Sequence, residues 1–427
     1  MEEKISTPIT EKRLKMSRGA YVAEATLEYV ISILFSSAYL AKLTSTLGFS
    51  DSLTGILSSI VSLGCLFQIL SLGIRKRRVK PFVITMSILN QLIFMFLYII
   101  PITPMSPSVK TAVFVTFMVG AYIIYNLAHP KKISWLMSLV EDRRRGVFTA
   151  NKENISLISG MTFTFVMGNV IDYFSANDNM RGAFILSAIV IFLLMTAHTV
   201  SMLVAVEKET PQRPKVSVKQ TLVDLWSDKK LRGVTIVFIL YQISHCATIP
   251  FYGTYEINEL GFSLGFISIL SISGNLLRIV VSRFVGRYAD KTSFGHMLEK
   301  CFLFLGASLV CVMFAVPSNG KIMMLARSFL NSIASAGITS ALINLVFDYA
   351  EPEKRSDALA VCQALSGVVG FLTTLAVSPL VTMIQANGNS IFGINMYAQQ
   401  LLSAIGAVFI LLAALYIRLV LIGKKKR

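Results

Sequence analysis

The sequence predicts an all-α membrane protein of about twelve transmembrane helices in two pseudo-symmetric six-helix bundles. Three observations carry that expectation. Hydrophobic residues make up 54% of the 427-residue chain and charged residues only 15%, whereas a soluble chain carries about 25% charge. Apolar runs near the ~20 residues that a spanning helix needs recur from end to end. Two segments of the first half also reappear at matching places in the second.

Taken in order, the apolar runs place helices over 19–46, 53–73, 81–101, 110–138, 148–173, 182–206, 232–258, 263–287, 298–316, 321–349, 358–384 and 396–421. The runs are continuous rather than alternating, which excludes barrel strands, and helices satisfy their own backbone hydrogen bonds in lipid. Residues 1–18 are polar and the first apolar run is too long for a signal core, so a cleavable leader is not expected. The longest polar stretch, EKETPQRPKVSVKQTLVDLWSDKK at 207–230, holds Pro211 and Pro214. It divides the chain into an N-terminal six-helix bundle (1–206), a cytoplasmic connector (207–231) and a C-terminal six-helix bundle (232–427). Within the connector, LVDLWSD has the composition of a short amphipathic surface helix, with a plain linker as the alternative.

The repeat is visible in two pairs of segments. GFSDSLTGILSSIVSLG (48–64) resembles GFSLGFISILSISG (261–274), and VEDRRRGVFTANKENISLISG (140–160) resembles AEPEKRSDALAVCQALSGVVG (350–370). In the second pair Arg145 falls on Arg355 and Gly160 on Gly370. Duplicated six-helix units are a mark of secondary transporters. Gly261-Phe262-Ser263-Leu264-Gly265 fits a hydrolase nucleophile pattern, but it lies between spans without the strand–turn–helix context that pattern requires.

The net charge of +17 would suggest nucleic-acid binding in a soluble protein. Sorted by side of the membrane it has another meaning. With the N-terminus inside, the basic residues gather in the inner segments, among them Arg75, Lys76, Arg77, Arg78 and Lys80, Arg143 to Arg145, and the Lys424–Arg427 tail. The outer segments hold only Lys110, Arg181 and Lys321. The positive-inside rule then places both termini in the cytoplasm, and no nucleic-acid partner is expected. Cys65, Cys246, Cys301, Cys311 and Cys362 all fall in or beside spans, without CxxC spacing, and read as packing residues rather than disulfides or a metal site. HExxH and Walker A patterns are absent, and His129, His198, His245 and His296 lie in separate segments. The chain is therefore not expected to be an enzyme, to hold a metal or cofactor, or to couple to ATP.

At the inner end of the eighth span the sequence reads Gly286-Arg287-Tyr288-Ala289-Asp290-Lys291-Thr292-Ser293. This resembles the G-x-x-a-D-[RK]-x-[GS] loop of the major facilitator superfamily, and WLMSLVEDRRRGVF (135–148) looks like the segment after helix 4 in many of its bacterial members. The resemblance implies two six-helix bundles, a central substrate site lined by helices 1, 4, 7 and 10, and alternating access. It gives Asp290 the role of tethering cytoplasmic helix ends, beside Gly286, Arg287, Arg145 and Arg355 as gating positions. The first-half loop departs from the pattern: Gly73-Ile74-Arg75-Lys76-Arg77-Arg78 carries Arg77 where the carboxylate belongs.

Ionisable groups in spans are costly and face the protein interior. Glu24 and Glu28 are spaced i,i+4, hence on one face of helix 1, and Glu28 lies about 15 Å into the span. Desolvation there favours the neutral carboxyl, so Glu28 is the expected proton-coupling group, with a structural ion pair as the alternative. Helix 4 offers Tyr125, Asn126, His129, Lys131 and Lys132, with Pro130 as a kink. Adjacent lysines lie about 100° apart on a helix, so one is expected to face the cavity while the other snorkels. Helix 7 offers Gln242 and His245, with Pro250 and Gly253 predicting an irregular outer half. Arg278, Arg327 and Asn331 complete the set, and Glu28 is a candidate partner for one of the arginines. These residues predict a secondary transporter for a small polar organic solute, anions included. The coupling ion is expected to be a proton, with sodium as the alternative. Multidrug efflux and a non-transporting sensor or scaffold are the competing readings, and the expected form is a monomer in a bacterial cytoplasmic membrane.

Overall fold

The computed structural model describes residues 10–71, 78–141, 145–207, 223, 226–350, 355–391 and 393–422. Thirteen helices are described: α1 (Glu11–Ile33), α2 (Ser37–Thr46), α3 (Asp51–Ser71), α4 (Lys80–Ile99), α5 (Pro107–Met137), α6 (Arg145–Ala176), α7 (Met180–Val204), α8 (Lys229–Thr248), α9 (Leu264–Lys291), α10 (Phe294–Met313), α11 (Gly320–Tyr349), α12 (Arg355–Ala386) and α13 (Ala398–Tyr416). Ten helical segments have the length and apolarity to cross a membrane, and the bent pair α1/α2 makes an eleventh. The 21 residues of α3 span about 30 Å at 1.5 Å each, a bilayer's hydrocarbon thickness. Every expected span thus has its helix, and the chain is an integral multi-pass membrane protein. Large apolar side chains stay exposed along the helices, as at Phe192, Leu193, Leu203, Leu412, Leu415 and Leu419. Lipid is the solvent that such a surface fits.

Two spans are broken. The first, read from sequence as continuous over 19–46, bends by 44° between α1 and α2. Ser37 has φ +44°, and the Tyr98 hydroxyl donates to the freed Leu34 carbonyl at 2.8 Å. The seventh continues past α8 as a 3₁₀ turn (Ile249–Phe251), an α turn (Tyr252–Thr254) and a π turn (Tyr255–Glu259). Pro250 has no N–H to continue the ladder, and this is the irregular outer half that Pro250 and Gly253 predict. Pro130, by contrast, sits inside a continuous α5. A two-stranded antiparallel hairpin, β1 (Ser390–Ile391) with β2 (Ile394–Asn395), pairs Ser390 with Asn395 and Ile391 with Ile394. The turn around it is supplied by Gly388 and Gly393 at positive φ. Most of the connector, including the LVDLWSD segment apart from Val223 and 226–228, lies outside the described residues, as do Gly73–Ile74 and Arg75–Arg77 of the first-half loop.

By packing, the chain groups into two compact units. The first comprises the described residues of Met1–Phe35, Phe67–Met167 and Tyr173–Arg213, and the second those of Ser36–Leu66, Gly168–Asp172 and Pro214–Arg427. In the first unit, Tyr21, Val83, Trp135, Leu136 and Met202 form a core at one end of the helices. Trp135 Nε1 donates to the Val206 carbonyl at 2.9 Å. Lys80 Nζ donates to the carbonyls of Leu203 and Ala205, 2.7 Å each, and so caps the C-terminus of α7 with a cation, as the helix dipole favours. In the second unit Ala247, Phe251, Val377, Val381, Ile384 and Leu402 pack together.

The repeated glycines have matching roles in the two units. A Cβ on Gly160 of α6 would lie 2.4 Å from the Tyr29 ring of α1, and one on Gly370 of α12 would lie 2.6 Å from Gln242 Cγ of α8. Spans 5 and 1 therefore touch in one unit as spans 11 and 7 touch in the other, through a residue without a side chain.

Candidate functional site

The first unit buries a chain of polar groups. Glu24 and Glu28 share a face of α1, one turn apart, and Glu24 is 1% exposed. Lys132 on α5, 3% exposed, donates to both: its Nζ lies 2.7 Å from Glu24 Oε1 and in closer contact with Glu28 Oε2. His198 on α7 is fully buried. Its Nε2 lies 3.3 Å from Glu24 Oε1 and 3.8 Å from Glu28 Oε2, while its Nδ1 lies 3.1 Å from the side-chain nitrogen of Gln91 on α4. The imidazole thus bridges Gln91 on one side and Glu24 on the other through its two ring nitrogens.

Charge explains why the cluster holds together. A buried ion costs several kcal/mol in desolvation, recovered only if it is paired and hydrogen-bonded. One ammonium between two carboxylates leaves a formal excess of one negative charge, and His198 Nε2 lies against it. Glu28 is the open member, its side chain 20% exposed against 2% for Glu24. A small cavity beside it is lined by Glu28, Ser87, Asn90, Tyr125, His129 and Lys132. Among the described residues His129 Nδ1 is buried without a hydrogen-bond partner, and the His129 ring lies against Tyr125 with centroids 4.9 Å apart. Asn126, buried on the same helix, donates to the Tyr122 carbonyl.

Glu24, Glu28 and His198 each offer an atom of the type that ligates metals, and these atoms all lie within 4.8 Å of one another. The Lys132 ammonium touches both carboxylates of that set, so the chain itself supplies a positive charge there.

The remaining sequence candidates fall in the second unit. The Arg327 guanidinium lies 3.8 Å over the Tyr252 ring and 3.9 Å from Glu256 Oε1. Gln242 donates to Ser62 Oγ at 3.4 Å and to Cys246 Sγ at 3.2 Å. His245 lies 5.6 Å from the Tyr241 ring; Arg278 and Asn331 are half-buried on α9 and α11. Within the first unit the partner of Glu28 is Lys132, because α5 and α7 pack on its side of α1. Of the adjacent lysines, Lys132 joins the acids while Lys131 is half-buried outside the cluster. His198, Gln91 and Glu256 are additions to the set expected from sequence. At the far end of α9, Gly286, Arg287 and Asp290 are exposed; Asp290 makes no ion pair among the described residues. The side chains of Arg145 and Arg355 lie outside the described set.

The sequence matches the family model described as Major Facilitator Superfamily over residues 21–374. No curated protein matches it. Among solved structures, the nucleoside transporter NupG superposes with a TM-score of 0.68 at 12% identity, covering 96% of this chain and 99% of that one. PepTSo, a transporter of the POT family, superposes with a TM-score of 0.69 at 11% identity, covering 98% and 99%. A bacterial homolog of the human lysosomal transporter Spinster, in an inward-facing and unoccupied conformation, gives 0.63 at 14% identity and 97% of each chain. At these identities the likeness is one of fold.

Proposed function

The chain belongs to the Major Facilitator Superfamily, and from that premise we propose that this secondary transporter moves a small polar organic solute by alternating access, driven by a proton gradient. It is a transporter, not an enzyme. The observation that carries the proton reading is the buried Glu24–Lys132–Glu28 triad with His198 against it. The two carboxylates share one ammonium, so a change of charge on one is felt by the other. A proton arriving from the cavity reaches Glu28 first, the more exposed acid. Neutralising Glu28 weakens its hold on Lys132 and leaves the ammonium paired with Glu24 alone. Lys132 can then direct a donor into the space lined by Asn90, Tyr125 and His129, where a polar solute is recognised. Losing the proton restores the closed triad and ejects the solute. Proton and solute are in this way linked through one ammonium.

Pairing also refines the substrate class. Lys132 faces two carboxylates and Arg327 faces Glu256, so the surplus of intramembrane cations that favoured an anion is offset. A solute rich in hydrogen-bonding groups, with no required charge, fits better. The two repeated six-helix units, the cytoplasmic termini, a gate at Asp290 and a monomer in a bacterial cytoplasmic membrane belong to the same proposal.

Two steps test it. A library of polar solutes screened by thermal unfolding identifies the ligand, because a solute at 100 times its Kd stabilises the folded carrier by about 2.7 kcal/mol. Proteoliposomes then measure uptake of that solute with and without an inward proton gradient. Accumulation against the solute's own gradient only when the proton gradient is imposed is the expected result. Equal uptake in both would sink the proton reading.

A further inference from the structure

A second polar pocket lies wholly within the second unit, where the N-terminus of α3, the π turn after α8, the last turn of α12 and the first turn of α13 meet. In the orientation proposed above, this is the external side. Asp51, 8% exposed, accepts from Asn258 Nδ2 on Oδ1 and from Gln385 Nε2 on Oδ2, 2.7 Å each. The same Gln385 nitrogen lies 3.1 Å from Glu259 Oε1, so one amide bridges the two carboxylates, and Asn389 Nδ2 donates to Glu259 Oε2 at 3.1 Å. Among the described residues no lysine or arginine pairs with either acid, and none lines the pocket.

An independent feature points into the same space. Gln399, 2% exposed, also lines it. Its Nε2 donates to the Thr248 carbonyl at 3.2 Å, which fixes the amide orientation. Among the described residues its Oε1 is then left buried with no donor; Asn389 Oδ1, outside the pocket lining, is in the same condition. Buried acceptors without donors are rare because each forfeits its hydration. Two acids bridged by a neutral amide are relieved by a proton or by a bound cation for the same reason. One small cation satisfies both demands.

We propose that the pocket framed by Asp51, Thr254, Glu259, Gln385 and Gln399 binds sodium. Every available donor is oxygen, from carboxylate, side-chain amide or hydroxyl, which selects a hard cation over one that prefers nitrogen or sulfur. Each carboxylate oxygen already accepts an amide hydrogen, which blunts its field. Dehydration cost grows with the square of the ion's charge, so the blunted site suits a singly charged ion. The Glu24–Lys132–Glu28 triad differs, since it carries its own ammonium. Sodium here clamps four helix ends together and makes closure on this side sensitive to external salt.

The test uses the full-length protein in detergent at fixed ionic strength, with sodium chloride, potassium chloride or choline chloride, or with calcium chloride added to choline. Sodium is expected to raise the unfolding midpoint saturably while choline does not, and Glu259→Gln and Gln399→Met are each expected to weaken sodium affinity at least tenfold. Equilibrium binding of radioactive sodium to the unmodified protein gives the same answer without relying on a variant's folding. The proposal is overturned if the midpoint follows pH but not sodium, if calcium binds where sodium does not, or if both variants keep the original sodium affinity. Because the readout is binding, its failure leaves the proton-coupled reading standing, and the converse also holds.

Discussion

Lys132 is the residue on which the first unit's electrostatics turn. Removing it leaves Glu24 and Glu28 facing each other with only His198 between. Lys132→Met is expected to cost about 3–5 kcal/mol, read as an early unfolding transition, and adding Glu24→Gln in the same chain should recover part of the loss. Additive costs would mean that the two side chains do not interact. Arg327 makes a different kind of contact, a flat guanidinium over the Tyr252 ring, which an ammonium cannot reproduce. Arg327→Lys should therefore lower transport while leaving the Glu256 charge balanced, and unchanged uptake would remove Arg327 from the site. At this scale the sequence was half legible. The i,i+4 spacing put Glu24 and Glu28 on one face without any structure. Choosing between Lys131 and Lys132 required the rotational phase of α5, which a nearly uniform apolar run does not reveal. His198 was hidden because it lies within a strongly apolar span far along the chain, and only packing brings α7 against α1.

At the scale of elements, the apolar runs located the helices, because a bilayer demands uninterrupted length. The bend between α1 and α2 was not legible. Ser36 and Ser37 are weak breakers beside proline, and the bend is supported by a hydroxyl from α4 that only the fold supplies. Tyr98→Phe removes that donor from the Leu34 carbonyl and should cost about 1–3 kcal/mol, measured by thermal unfolding; an unchanged midpoint would show that the carbonyl finds water. The irregular end of span 7 was legible, since Pro250 and Gly253 are strong local signals. The contact between α12 and α8 at Gly370 has no room for a side chain. Gly370→Val should therefore lower the unfolding midpoint and displace Gln242, by about 1–3 kcal/mol of overpacking, while the same change at Gly120, where a Cβ meets nothing within 4 Å, should be tolerated.

For the whole molecule, the proposed orientation makes the +17 charge on a chain with 15% charged residues largely a topology signal. What remains after sorting by side is a short list of intramembrane cations, and the fold gives two of them, Lys132 and Arg327, carboxylate neighbours. The transport claim accordingly rests on how Lys132 is shared, not on a surplus of positive charge. The most direct measurement is a paired assay of Glu28→Gln in proteoliposomes, recording solute counterflow and solute-driven proton movement on the same preparation. The account predicts that counterflow persists, because the carrier still binds and reorients, while proton movement falls to the background of empty vesicles. Proton movement at the unmodified rate in Glu28→Gln would contradict it.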